Sequence, residues 1–137
     1  MNIVRLAGSA IALALVAGCA PMDGSAGASA DRDGHSVKTP AVRLTGAAES
    51  CIPIVQISES RVRDDWTIDF RTGTNRWYRN TLPYRCNGLG FEKAFSYQTS
   101  LSQLCSTDII TVFSSGAGGG SRGSCGLGQF QPVELVK

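Results

Sequence analysis

The side chains with chemical potential in this sequence are five cysteines, one histidine, a scatter of carboxylates and six arginines crowded between positions 61 and 85. A serine or cysteine nucleophile needs a base within hydrogen-bond reach, and the one histidine, His35, lies in a polar, glycine-rich stretch far from the rest. His35 therefore reads as a solvated residue. Ser–Lys chemistry would need Lys93 or Lys137 beside an activated serine, and no local spacing provides that. Asp64, Asp65, Asp69, Glu92 and Asp108 are the acids from which a glycosidase pair could be drawn, since such sites require only two carboxyls at a defined separation. Asp64-Asp65 reads more simply as a turn opening a strand. The run Gly116-Ala117-Gly118-Gly119-Gly120-Ser121-Arg122-Gly123 is followed by Ser124-Cys125, not by the Lys-Ser/Thr of a phosphate-binding loop, and reads as a hairpin loop.

Four of the cysteines, Cys51, Cys86, Cys105 and Cys125, stand 35, 19 and 20 residues apart with no histidine among them, which does not suit a zinc site. Two disulfides are expected, each stabilising a small exported domain by about 2–4 kcal/mol. Three pairings are possible. The nested one, Cys51 with Cys125 and Cys86 with Cys105, would tie the domain's ends together. Arg61, Arg63, Arg71, Arg76, Arg79 and Arg85 face only Asp64, Asp65 and Asp69, a local excess of +3, with Trp66, Trp77, Tyr78 and Tyr84 interleaved. Guanidinium forks beside aromatic faces suit carboxylate or phosphate, so Arg76, Trp77 and Arg79 form the candidate surface for an anionic envelope component or an envelope protein. The plainer reading is a solvated strand face carrying cross-strand Arg–Asp pairs. No cofactor or metal is called for, and the expectation is a binding domain rather than an enzyme, with a carboxylate-dependent glycan hydrolase or a ligand-free spacer as alternatives.

The chain's 137 residues and net charge of +2 allow one small domain and give no basic excess for nucleic acid. Arg5 precedes an apolar run from Leu6 to Ala17, the layout of a signal peptide. That run is about 18 Å long as a helix, too short for a hydrocarbon core of roughly 30 Å. Val16-Ala17-Gly18-Cys19 resembles the bacterial lipobox, with Val16 where leucine is usual. The resemblance implies a signal peptide over 1–18, lipidation of Cys19 and attachment to the membrane by several acyl chains. Ala20 in place of aspartate resembles an outer-membrane sorting signal, with the domain facing the periplasm. Residues 19–47, rich in Ala, Gly, Ser and Asp, read as a flexible linker, and 48–137 as the folded domain.

Within that domain Trp66 to Arg71 alternates strictly, which predicts a strand with Trp66, Ile68 and Phe70 inward and Thr67, Asp69 and Arg71 in water. Thr72-Gly73-Thr74-Asn75 turns the chain into a second strand over 76–82, with Tyr78, Asn80 and Leu82 on one face and Trp77 and Arg79 on the other. Ile52, Ile54 and Ile57 mark an earlier strand, Phe95 and Tyr97 another, Val133 to Val136 the last. Ile109 to Phe113 reads as a strand buried on both faces. Leu101 to Cys105 is expected to form one helical turn, with Ser100 and Gln103 as a capping box. The sum is a mainly β domain, a small antiparallel barrel or sandwich of about six short strands stapled by disulfides.

The runs Arg61 to Phe70, Tyr78 to Pro83 with Cys86 and Gly88-Leu89-Gly90, Leu104-Cys105 with Asp108 to Val112, and Cys125 to Gly128 resemble small proteobacterial exported proteins grouped as domain of unknown function 6491. The resemblance covers nearly all of Cys51 to Val133. It implies a single domain in the cell envelope and carries no activity with it.

Overall fold

The computed structural model describes residues 39–136, and Cys19 with the signal-peptide reading therefore lies outside the described residues. Ten strands form: β1 (Val42–Leu44), β2 (Cys51–Pro53), β3 (Ile57–Val62), β4 (Thr67–Thr72), β5 (Arg76–Thr81), β6 (Phe95–Tyr97), β7 (Gln103–Cys105), β8 (Ile109–Phe113), β9 (Ser121–Gly126) and β10 (Phe130–Leu135). One 3-10 turn, Ile54–Gln56, separates β2 from β3, and a four-residue helix, α1 (Leu89–Glu92), precedes β6. The strands make three antiparallel sheets, ordered β1-β10-β5-β4-β3, β2-β7 and β6-β8-β9. They stack as a sandwich and do not close into a barrel.

The alternation that predicted the central hairpin holds. Ile68 and Phe70 of β4 and Tyr78 of β5 turn into a core completed by Ile52, Leu82, Leu89, Leu104, Ile110, Val112, Leu127 and Phe130. Phe70 sits at its middle, edge-on to Phe130 at 5.6 Å and to Phe95 at 6.2 Å between ring centroids. Such edge contacts add about 0.5–1.5 kcal/mol to the area they bury.

Four expectations need correction. The disulfides are Cys51–Cys105 and Cys86–Cys125, an interlaced pairing and not the nested one. Its cause is strand register: β2 and β7 pair with Cys51 directly opposite Cys105 and a Cα separation of 4.0 Å. The second bridge brings Cys125 of β9 to the loop ahead of α1, so each bond closes a different long loop of the chain. Residues 101–105 are correspondingly not a helical turn. Thr99 Oγ1 accepts from the Leu101 N–H and donates to the Gln103 carbonyl, and Gln103–Cys105 runs on as β7. β8 is buried on one face only, through Ile110 and Val112, while Ile109 and Phe113 are exposed. Finally, residues 42–44, inside the stretch read as linker, are strand β1 on β10, and Thr45 and Glu49 also bond to β10 backbone, so the domain includes residues 39–47.

The strand count rises from six to ten for local reasons. The apolar stretch 52–57 is broken by the 3-10 turn into β2 and β3, which belong to different sheets. β9, Ser-Arg-Gly-Ser-Cys-Gly, has little strand propensity and is held by β8 and by Cys125.

Candidate functional site

The outer face of the five-stranded sheet carries the arginine cluster. Register places Glu59 beside Arg71, Arg61 beside Asp69, Asp69 beside Arg79, Arg71 beside Trp77, and Trp77 beside Val133. Side chains two apart on one strand share a face, so β3 with the Arg63 that follows it, β4 and β5 set four arginines, Arg61, Arg63, Arg71 and Arg79, on the face of one tryptophan, and Arg76 flanks that face at the start of β5.

This face is not the solvated one that alternation predicts. Asp69 is fully buried and Thr67 nearly so. Arg79 grips the Asp69 carboxylate through Nε at 2.8 Å and Nη2 at 3.0 Å, and Arg63 Nε donates to the same carboxylate at 2.7 Å. The remaining Arg79 fork donates to the Pro40 carbonyl at 2.9 Å, so the segment from Thr39 crosses over the pair and helps shut out water. Two guanidiniums share one carboxylate in a low-dielectric setting where each is charge-assisted.

Beside this triad the surface opens. A groove of about 1340 Å³ runs along the sheet, lined by Pro40, Arg61, Arg63, the turn Thr72–Arg76, Trp77 and the β10 end from Val133 to Val136. Trp77 forms its floor. The Arg61 guanidinium lies over the indole at 4.9 Å from the ring centroid and that of Arg71 at 6.0 Å. Each such cation–π contact contributes about 0.5–1 kcal/mol at an exposed site.

The charges of the groove differ in how free they are. Arg61 is held by Glu59 through Nε at 2.5 Å, and that hydrogen bond holds the Glu59 carboxyl below its ordinary pKa and raises that of Arg61. Arg71 donates to the Thr74 carbonyl and approaches Glu59 at 3.8 Å. Arg63 is spent on Asp69, and Glu134 on Arg43. Arg76, exposed at the mouth of the β4–β5 hairpin, makes no ion pair among the described residues.

Of the three residues chosen from sequence, Arg76 and Trp77 thus line the groove, while Arg79 lies beneath it as an internal brace. Arg61, Arg63 and Arg71 were visible in the sequence only as part of the arginine cluster. The alternation of Glu59, Arg61 and Arg63 against Ser60 and Val62 is the signal that would have set them on this face.

The acids considered for hydrolysis are each engaged elsewhere. Asp64 accepts from Thr39 and from the Trp66 N–H, Asp65 from Arg85 and the Gly90 N–H, and Asp108 from the Cys105 N–H. Glu92, on α1, accepts from the Ser115 N–H at 2.8 Å and the Ser115 hydroxyl at 3.0 Å, with Arg122 at 3.2 Å. The backbone bond from Ser115, followed by the Ser115 hydroxyl, keeps the Glu92 carboxyl below its ordinary range. A carboxyl with a lowered folded pKa stabilises the fold above its unfolded pKa, and the contribution fades as pH falls through the lowered value. Glu92→Gln is therefore expected to lower Tm near about pH 7 and to leave it little changed near about pH 2, as read by circular-dichroism melts. An equal loss at both pH values would show that ionisation of Glu92 does not matter.

All four cysteines in the described residues are paired as disulfides, and no cluster of three or more metal-ligating side chains occurs among those residues. Compared with known proteins, the chain matches no family model, no curated protein and no solved structure.

Proposed function

We propose that this protein is a lipid-anchored component of the bacterial cell envelope whose domain binds an anionic envelope component in the groove floored by Trp77. The observation that carries the reading is that Arg76, which makes no ion pair among the described residues, lines the same groove as Trp77 and the two guanidiniums stacked on it. A carboxylate or phosphate entering the groove would meet Arg76 directly, and the body of the ligand would lie over the Arg61 and Arg71 guanidiniums that cover the buried Trp77 ring, beside Leu135. The proposal is non-catalytic, because the carboxylates available for acid–base work are committed to hydrogen bonds that hold loops in place. The lipobox-like Val16 to Cys19 supplies the anchoring half of the reading.

The test is photocrosslinking in intact cells from a photoreactive residue at Asn75, which is exposed on the groove wall, followed by mass spectrometry of the adduct. One recurrent anionic adduct is expected. In an Arg76→Glu background it should fall about tenfold, since a hydrogen bond to a charged group is worth about 1.5–3 kcal/mol. An adduct that survives Arg76→Glu unchanged overturns the assignment of the groove. Intact mass of membrane-extracted protein should begin at Cys19 with acyl additions, and any other start overturns the anchor.

A further inference from the structure

The domain has a second surface with a character of its own, at the end of the sandwich opposite the β4–β5 hairpin. β3 runs into the turn 63–66 and β4 runs out of it, so this turn and the turn 73–75 lie at the two ends of a six-residue strand, about 20 Å apart. Three segments gather around the 63–66 turn. The loop after β5 is held by the Cys86 N–H on the Asp65 carbonyl and by Arg85 on the Asp65 carboxylate. α1 is held by the Gly90 N–H on the same carboxylate, and it packs so closely that a Cβ on Gly90 would stand 3.0 Å from the Asp64 backbone. The end of β8 is joined to α1 through Ser115 on Glu92 and through the Phe113 N–H on the Ala94 carbonyl.

Those same three segments carry the most exposed aromatic rings among the described residues. Tyr84 is 81% exposed, Phe91 86% and Phe113 40%. Exposed cations stand with them: Lys93 directly after α1, and Arg85, whose side chain is 62% exposed against 18% for its partner Asp65. Aromatic rings interspersed with Lys and Arg are the composition of a surface that rests in the boundary between water and lipid, the rings among headgroups and the cations near phosphates.

The chain itself says which surface would occupy this end. The first described residue, Thr39, donates its hydroxyl to Asp64, in the very turn around which the aromatics gather. Nineteen residues lie between Cys19 and Thr39. On the anchor reading above, on which this inference rests, the polypeptide comes from the bilayer and joins the domain at this end.

We infer that the Tyr84–Phe91–Phe113 end is a membrane-contact surface, resting in the headgroup region of the phospholipid bilayer to which Cys19 is attached. The domain then stands on the membrane in one orientation, with the groove along its flank and the Arg76 mouth at the end farthest from the lipid.

The test uses the full mature protein extracted from membranes and reconstituted into vesicles of phosphatidylethanolamine and phosphatidylglycerol with brominated acyl chains, which quench nearby tryptophan. Two variants are compared with the unsubstituted protein, whose own two tryptophans set the baseline: Phe91→Trp, and Val55→Trp. Val55 is 87% exposed and lies beside Gln56, whose carbonyl accepts from the Gly73 N–H at the far end. About half of the emission added at position 91 should be lost, as for a ring about 5–10 Å into the headgroup and acyl boundary, and none of that added at position 55. Equal quenching at both positions, or none at either while the protein still floats with the vesicles, overturns the contact surface and leaves the anchor standing. Protein that does not float with the vesicles overturns the anchor, and the contact surface with it.

Discussion

Asp69→Ala is expected to destabilise the domain by about 3–5 kcal/mol, because it leaves two largely buried guanidiniums without their shared counter-charge. Against a stability of roughly 5–15 kcal/mol for a small domain, that is a third or more of the total at the midpoint of the range and nearly all of it at the lower end. Urea denaturation followed by circular dichroism reads the loss as a lower midpoint at unchanged slope. The triple variant Arg63→Met, Asp69→Leu, Arg79→Met should recover most of it, since a buried ion cluster exchanged whole for apolar side chains is often near neutral. A small effect of Asp69→Ala would mean that water reaches the triad and that the segment 39–41 does not seal it. Arg79 accordingly belongs to the fold, and its substitution would confound any binding assay on this face.

Gly128→Ala should be nearly as damaging, for a steric reason. A Cβ there would stand 2.0 Å from the Thr81 carbonyl oxygen, a backbone atom that cannot swing aside. The close approach exists because the buried Asn80 side chain bonds both ways to residue 128, donating to its carbonyl at 2.6 Å and accepting from its N–H at 2.9 Å. Forcing the strands apart strains the core by about 1–3 kcal/mol and strands a buried amide at a further cost of about 1–3 kcal/mol. Gly126→Ala is the control, with nothing within 4 Å of its added carbon, and should be neutral within about 0.5 kcal/mol. Matching midpoints for the two variants would refute the close-packing argument.

The parts of the fold that were legible in sequence are those whose cause is local. Ile68, Phe70, Tyr78 and Leu82 announce the central hairpin through period two alone, with Gly73, at φ 56, where the turn needs a left-handed residue. What escaped depends on distant partners. The outer face of β4 looks polar, yet Asp69 is buried because Arg63 and Arg79 converge on it and the Pro40 carbonyl accepts from Arg79 beside it. Ser100 and Gln103 have capping-box spacing, but one turn of helix is worth less than a strand pair locked by Cys51–Cys105. α1 has left-handed residues at both ends, Gly88 and Lys93, and its four residues show no helical periodicity to find. The candidate site followed the same division. Arg76 and Trp77 are local to one hairpin and were visible, whereas the bracing role of Arg79 needed the tertiary structure.

The position of β10 bears on when this protein can fold. It is the last strand of the described chain, yet it lies second in its sheet, with β1 bonded along one side and β5 along the other. Until residues 130–135 have emerged from the ribosome, β1 has no neighbour and β5 has a bare edge. A chain made from its N-terminus can therefore form the β3-β4-β5 meander early, but the five-stranded sheet is completed only when β10 arrives.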